Sequence, residues 1–169
     1  MLYKYPYQSE LGIITLLAND HGLLGTWFEN QANYGGLFDL NSVQSVIDHH
    51  QSTIIDQAIK WLDAYFSKQP FERLAYQLMP QGTAFQQDVW TELQKIPYGK
   101  TITIDELAER IKDRQTKGQG TANEMIGAIN SNPIAIIIPS HRVLVSSDQA
   151  GNLIATNHLG QVLREFESS

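Results

Sequence analysis

The sequence predicts an α/β N-terminal domain followed by a mainly α-helical C-terminal domain, and three observations support this. Two apolar runs, at residues 12–17 and 23–28, flank turn-forming residues at 19–22, which is typical of a β-hairpin. Apolar residues then recur at helical spacing from Ile54 to Phe66. Beyond Pro80 the pattern changes from strands to short helices. We therefore expect domains at residues 1–80 and 81–169.

The composition is that of a folded, water-exposed protein. Of the 169 residues, 42% are hydrophobic and 18% are charged, which suits one domain or two small ones. The longest apolar run, 134–138, falls far short of the roughly 20 residues that span a bilayer, and the N-terminus lacks a signal-peptide layout. We expect a cytoplasmic protein without membrane contact. A net charge of -6 disfavours non-specific coating of nucleic acid but leaves a local basic patch open.

The chain contains no cysteine, which excludes disulfides, thiolate metal ligands and thiol nucleophiles together. Asp48, His49 and His50 place an acid beside two imidazoles, but no second cluster nearby would supply the remaining ligands of a metal ion. We interpret them as a solvated loop or helix start. Glycine-rich phosphate loops are also absent, and neither a metal site nor a cofactor is expected.

The N-terminal helix should begin at Ser52 or Thr53, which are both good N-caps, and end before Pro70. Residues 71–79 are typical of a further strand. The sequence Pro80-Gln81-Gly82 then marks the best domain boundary in the chain.

Three short helices are expected after the boundary. The first begins after Thr83 and ends at Pro97-Tyr98-Gly99, the second begins at Thr103 or Asp105, and the third covers 121–129. The last two, joined by a polar loop at 112–120, are a candidate helix-turn-helix. Because two packed helices are more often plain core structure, DNA reading stays a hypothesis on this pattern alone.

The apolar run at 134–138 lies between Pro133 and Pro139 and precedes three polar residues, Ser140, His141 and Arg142. This pattern predicts a buried strand that ends at Pro139 and delivers the polar residues to a loop, where functional side chains are common. No Gly-x-Ser-x-Gly motif surrounds Ser140, so a hydrolase nucleophile elbow is excluded.

Four blocks of sequence resemble the O6-alkylguanine-DNA alkyltransferase family, in the family's order and at nearly its spacing. They are residues 82–90, residues 96–101, the pair Asn132-Pro133 and residues 138–143. The resemblance implies a ribonuclease-H-like N-terminal domain and a C-terminal domain whose helix-turn-helix binds DNA through the minor groove. It also implies a monomeric protein whose partner is double-stranded DNA containing O6-alkylguanine. Members of this family flip the alkylated guanine out of the duplex and transfer its alkyl group irreversibly to a cysteine.

The resemblance places Ser140 at the position of the acceptor cysteine. It implies that His141 is the general base, that Asn132 braces the loop, and that Arg142 and Pro139 are structural. Alkyl transfer requires a strong nucleophile at neutral pH, and a serine hydroxyl is several pKa units harder to ionise than a thiol. The methyltransferase activity of the family is therefore expected to be lost.

The positions that contact DNA in the family also differ here. Ile104 stands where the family has a tyrosine that rotates the target nucleotide, and Asn123 stands where much of the family has an arginine finger. We nevertheless expect DNA contacts from residues at and between the two helices. These are Ile104, Arg110, Lys112, Arg114, Lys117, Thr121 and Asn123.

The carboxylate that orients the histidine in the family has no clear counterpart in the linear sequence. A short terminal helix is expected at 159–167, but neither Glu165 nor Glu167 aligns cleanly with the family glutamate. The pocket-forming stretch at 151–158 differs as well. The sequence leaves the partner of His141 open.

Three functional hypotheses follow. The first is a DNA-binding homologue without the acceptor thiol, which either recognises alkylated bases without repairing them or retains only the scaffold. The second is a repair enzyme with an engineered cysteine-to-serine change at Ser140, although this does not explain Ile104 or Asn123. The third is a protein- or ligand-binding module without DNA, which the eight Lys and Arg against ten Asp and Glu from Gln81 onward favour.

Overall fold

The computed structural model describes residues 1–31, 33–45, 48, 51–69, 77–112, 122–147, 153–155 and 158–169. The chain divides into two compact units, Met1–Gln81 and Gly82–Ser169. Within the described ranges, every helix is too short or too polar to cross a membrane.

The N-terminal unit is built on a four-stranded sheet and one long helix. Its strands are β1 (Tyr3–Ser9), β2 (Gly12–Ala18), β3 (Gly22–Phe28) and β4 (Gln77–Leu78), in the spatial order β1-β2-β3-β4. The first three strands are antiparallel, and β4 joins β3 in parallel. The predicted hairpin is confirmed, and its two strands are β2 and β3. Strand β1 lies before the two apolar runs and was not predicted.

Helix α1 (Thr53–Phe66) contacts β1, β2 and β3 through a buried face. Ser52 is its N-cap, because the Ser52 side chain accepts a hydrogen bond from the Ile55 amide at 3.2 Å. Its buried residues are Ile55, Ala58, Leu62 and Tyr65. Their spacing is the helical periodicity seen in the sequence.

A second apolar cluster in this unit forms around Trp27, which is fully buried. The indole ring lies over Gly25, where an added Cβ would stand 2.0 Å from it. Leu17, Leu40 and Val43 complete the buried contacts. Both central strands are therefore covered by apolar side chains, which explains why β3 is buried along its whole length.

Among its described residues, the C-terminal unit contains four α-helices and a small sheet. The helices are α2 (Ala84–Leu93), α3 (Ile104–Ile111), α4 (Ala122–Asn130) and α5 (His158–Ser168), and the strands are β5 (Ile102–Thr103), β6 (Val143–Ser147) and β7 (Leu153–Ala155). In the sheet, β6 lies between β5, which is parallel to it, and β7, which is antiparallel. This two-part arrangement confirms the predicted fold class.

Local capping sets the helix starts in this unit. Thr83 and Gln86 form a reciprocal capping box at the start of α2, with bonds of 3.2 and 2.9 Å. Thr103 caps α3 by accepting a hydrogen bond from the Glu106 amide at 3.2 Å. The Trp90 indole N–H donates to the Ala128 carbonyl at 2.8 Å, which ties α2 to α4.

The predicted buried strand at 134–138 is wrong. These residues are buried, but the Ile138 amide donates to the Ile134 carbonyl at 3.0 Å, so the chain turns back on itself. Ile136 sits in the left-handed region with φ of 71°, which a strand does not contain. A short apolar run reports burial but does not distinguish a strand from a compact turn. The strand is β6, which begins after the polar residues.

Several predicted features lie outside the described residues. The strand expected at 71–79 is described only for its last part, where Gln77–Leu78 forms β4. His49 and His50, the connector at 113–120, and Thr121 also lie outside the described residues. Asp48, the remaining member of the acid–imidazole cluster, is exposed.

Candidate functional site

Ser140, His141 and Arg142 form a single turn of 3-10 helix that joins the compact turn at 134–138 to β6. Pro139 is buried at the start of this turn. Ser140 is partly exposed, whereas only 2% of His141 and 6% of Arg142 is exposed. The chain therefore presents Ser140 at the surface and places the other two side chains inside the unit.

The buried Asn132 side chain is hydrogen-bonded to the loop formed by residues 134–140. Its side-chain amide donates to the Ile138 carbonyl at 2.6 Å and to Ser140 Oγ at 3.3 Å. Its side-chain carbonyl accepts from the Ile134 amide at 3.0 Å. A single buried amide thus connects both ends of the apolar turn with the serine hydroxyl.

Glu167, in the last turn of α5, is the partner of His141 and Arg142. Its Oε2 is bonded to His141 Nε2 and accepts from Arg142 Nη2 at 3.1 Å, while its Oε1 accepts from Arg142 Nε at 2.9 Å. Arg142 Nη1 also donates to the Ile96 carbonyl at 2.6 Å, and the Gly99 amide donates to Glu167 Oε1 at 2.9 Å. These contacts form the network that we call the Glu167 network.

The Glu167 network identifies the partner of His141, which the sequence left open. Glu167 contacts His141 across 26 residues of sequence. Only the packing of α5 against the 3-10 turn determines which residue of the helix reaches the imidazole. Glu165 is exposed and bonded to Gln161 instead.

The charges in the network follow from its bonds. Burial alone would raise the pKa of Glu167, but the hydrogen bonds from His141 and Arg142 and the charge of Arg142 lower that pKa to about 2. Burial lowers the pKa of His141 and outweighs the hydrogen bond and the charge of Glu167, which raise it, while the positive charge of Arg142 lowers it further. At neutral pH the network therefore contains an ionised Glu167, a charged Arg142 and a neutral His141.

This protonation state assigns the tautomer of His141. An ionised carboxylate accepts hydrogen bonds only, so the proton of the neutral imidazole lies on Nε2. Nδ1 then carries a lone pair, and this buried atom has no hydrogen-bond partner among the described residues. His141 can therefore accept a proton or a hydrogen bond in the site.

The residues expected to contact DNA are only partly brought together. Ile104 opens α3 and is half-buried, while Asn123 is exposed on α4. Arg110 and Lys112 are exposed at the C-terminal end of α3. Arg114, Lys117 and Thr121 lie outside the described residues.

The exposed sides of α3 and α4 also carry acidic residues, in line with the acidic balance that favoured the third hypothesis. The exposed carboxylates are Asp105, Glu106, Glu109 and Glu124. Over the described parts of these helices, the acids outnumber the exposed bases Arg110 and Lys112. Across the described ranges, these helices included, no three acidic, histidine or cysteine side chains converge in a geometry that would hold a metal ion.

Two family models together match most of the chain. The model described as "6-O-methylguanine DNA methyltransferase, DNA binding domain" matches residues 84–167. The model described as "6-O-methylguanine DNA methyltransferase, ribonuclease-like domain" matches residues 1–74.

Individual relatives agree with the models. The methylated-DNA–protein-cysteine methyltransferase of Methanosarcina acetivorans is 30% identical over 169 residues, covering 99% of both proteins. The protein of the same name from Methanosarcina barkeri is 47% identical over 114 residues, covering 67% of this chain and 68% of the relative.

Solved structures show the same fold. The Mycobacterium tuberculosis O6-methylguanine methyltransferase superposes with a TM-score of 0.73 at 27% identity, covering 99% of this chain and 93% of that one. Mycobacterium tuberculosis OGT in complex with DNA gives a TM-score of 0.75 at 28% identity, covering 98% and 92%. Because both parts of the sequence match and a relative is similar over its full length, the chain belongs to the 6-O-methylguanine DNA methyltransferase family.

Proposed function

We propose that this chain, as a monomer in the cytoplasm, binds double-stranded DNA and recognises O6-alkylguanine by base flipping without accepting the alkyl group. The observation that carries the proposal is the complete Glu167 network beside Ser140 in a chain that contains no cysteine. The names of the relatives specify transfer from methylated DNA to a protein cysteine. This chain has no atom that can serve as that acceptor.

The chemistry explains why binding and transfer separate at this site. In transfer, a bond forms between the nucleophile and the alkyl carbon, the bond from that carbon to guanine O6 breaks, and the nucleophile loses its proton. A thiol is partly ionised near neutral pH, whereas the Ser140 hydroxyl is not. Neutral His141 can accept a hydrogen bond but is far too weak a base to ionise the hydroxyl appreciably. Ser140 is therefore proposed to contact the lesion rather than react with it.

The proposed DNA surface consists of α3, α4 and their connector. Asn123 is exposed and would reach the base left unpaired by flipping, with hydrogen bonding but without charge. Arg110 and Lys112 would contact phosphates, together with Arg114, Lys117 and Thr121 of the connector region. Half-buried Ile104 would pack against the sugar–phosphate backbone without donating a hydrogen bond.

A second candidate is a protein-binding role without DNA. The exposed carboxylates of α3 and α4 favour it, because a phosphate backbone would be repelled by them. In this case the Glu167 network would be a structural remnant, and the same surface would select a basic partner.

Titration of fluorescent duplexes, with and without one O6-methylguanine, at about 50 mM and about 200 mM salt separates the candidates. Tighter binding to the modified duplex supports lesion recognition. Equal binding that weakens steeply with salt indicates backbone contact alone and contradicts recognition. Absence of binding at low salt contradicts both DNA roles and favours the protein-binding candidate.

Mass spectrometry after incubation with the modified duplex tests the chemistry separately. The expected result is an unmodified chain at all incubation times. A stable methyl adduct on Ser140 would contradict the proposed loss of transfer. His141→Asn would then show whether the imidazole is needed for that adduct.

A further inference from the structure

The turn at 96–99 connects α2 to β5 and touches the Glu167 network with its main chain. The Ile96 carbonyl accepts from Arg142 Nη1 at 2.6 Å, across 46 residues of sequence. The Gly99 amide donates to Glu167 Oε1 at 2.9 Å, across 68 residues. Between them, the Tyr98 ring lies beside the Arg142 guanidinium, with 5.7 Å from Cζ to the ring centroid.

The Gly99 amide differs in kind from the other donors described for this carboxylate. Glu167 accepts from His141 and Arg142 side chains and from the Gly99 main chain. Side-chain donors on the 3-10 turn move with that turn, whereas the Gly99 amide belongs to a separate segment. The amide therefore fixes the carboxylate relative to the body of the C-terminal unit.

Gly99 is required for its backbone conformation rather than for space. Its φ is 73°, in the left-handed region that glycine adopts readily and most other residues avoid. An added Cβ would meet the Glu167 carbonyl oxygen at 3.8 Å, which is an ordinary contact. Gly99 also lines an open cavity of about 320 Å³, so a side chain at this position has room.

We propose that Gly99 is a positioning residue for His141. Its left-handed conformation aims the amide at Glu167 Oε1, which leaves Oε2 directed at His141 Nε2. The orientation of the carboxylate then sets the tautomer of the imidazole and leaves Nδ1 as the acceptor in the site. This inference goes beyond the proposed function, since it concerns the protein without DNA and holds whatever the chain binds.

Nuclear magnetic resonance of the chain with isotope-labelled histidine tests the inference, because it observes the imidazole nitrogens directly. Long-range proton–nitrogen correlations report the tautomer of His141, and the same signals followed against pH report its titration. The variant His141→Gln assigns the signals by their disappearance. A merely structural role of Gly99 would change stability without moving these nitrogen shifts.

Three substitutions at position 99 differ in how readily the new residue adopts a positive φ. Valine strongly disfavours positive φ, alanine disfavours it moderately, and asparagine tolerates it. Gly99→Asn is the matched control, because it adds a side chain but keeps the backbone conformation. We expect the original chain and Gly99→Asn to show one tautomer, protonated on Nε2.

Gly99→Val should lose the single tautomer, and the pKa of His141 should rise towards its ordinary value as water reaches the ring. Gly99→Ala should lie between valine and asparagine. An unchanged tautomer and titration in Gly99→Val would overturn the proposal, as would equal disturbance by asparagine and valine. Should the valine variant not fold, the comparison of alanine with asparagine decides: alanine must disturb His141 more than asparagine does.

Discussion

At the scale of single residues, the site depends on one buried carboxylate. Glu167 is bonded to His141, Arg142 and Gly99, and only 2% of its side chain is exposed. An isolated buried charge is costly, but this one is compensated by a guanidinium and by several donors. Burial keeps His141 neutral, and the ionised carboxylate holds its proton on Nε2, so that Nδ1 is the acceptor atom of the imidazole.

The pH dependence of the unfolding free energy should show the stabilising contribution of the ionised Glu167. The pKa of Glu167 is lowered in the folded chain, from 4.5 to about 2, so its contribution is complete above pH 4.5 and is lost as the pH falls towards 2. Glu167→Gln should destabilise the C-terminal unit on the order of 3 kcal/mol at pH 7, because it leaves Arg142 buried without its carboxylate. Urea unfolding between about pH 3 and pH 7 measures both.

The matched control is Glu165→Gln on the exposed side of the same helix. It should change the free energy of unfolding by less than about 0.5 kcal/mol at every pH. The loss of unfolding free energy caused by Glu167→Gln should become smaller at acidic pH. If it stays the same, the charge of Glu167 is not what stabilises the unit.

At the scale of elements, the compact turn at 134–138 is the part that sequence patterns describe least well. Its five apolar residues correctly predicted burial, but an unbroken apolar run does not indicate that the chain reverses direction at Ile136. The helix starts were predictable because caps are local: Thr83 and Thr103 bond to residues three positions ahead. The turn depends instead on the buried amide of Asn132.

Removing the Asn132 side chain should therefore damage the turn. Asn132→Ala leaves the buried Ile134 amide and Ile138 carbonyl without this partner, and we expect a loss of about 1–3 kcal/mol in unfolding free energy. Faster amide hydrogen exchange at 134–143 should accompany it. Asn130→Ala, at the exposed end of α4, is the control and should change neither quantity appreciably. Equal effects of the two variants would contradict the bracing role.

At the scale of the whole molecule, this chain combines the family fold with a sequence that contains no cysteine. The relatives that share this fold are named for transfer to a cysteine, whereas this cysteine-free chain has two compact units and the buried Glu167 network. Ile104 and Asn123, which are expected to differ from the family pattern, lie on separate helices from Ser140. Restoration of transfer should therefore need more than one substitution.

Ser140→Cys alone should take up the methyl group weakly or not at all from a duplex containing O6-methylguanine. The thiol supplies the missing nucleophile, but Ile104 and Asn123 still lack the groups expected to rotate and replace the flipped base. The triple variant Ser140→Cys, Ile104→Tyr, Asn123→Arg should react at least about tenfold faster, which corresponds to about 1.4 kcal/mol in the barrier. Mass spectrometry of the methyl adduct over time measures both rates. Fast, complete transfer by the single variant would show that those two positions do not limit the reaction.

The sequence by itself determined the two-part fold class, the helix caps, the burial of residues 134–138 and the family. Each of these depends on the local spacing of residues, on composition or on short blocks of direct sequence similarity. The tertiary structure decided that Glu167 contacts His141 and Arg142, that Gly99 reaches the same carboxylate, and that the apolar run turns rather than extends. The contacts of Glu167 join residues 25 to 68 positions apart, so the packing of α5 and of the turn at 96–99 determines them, and no local sequence pattern predicts them.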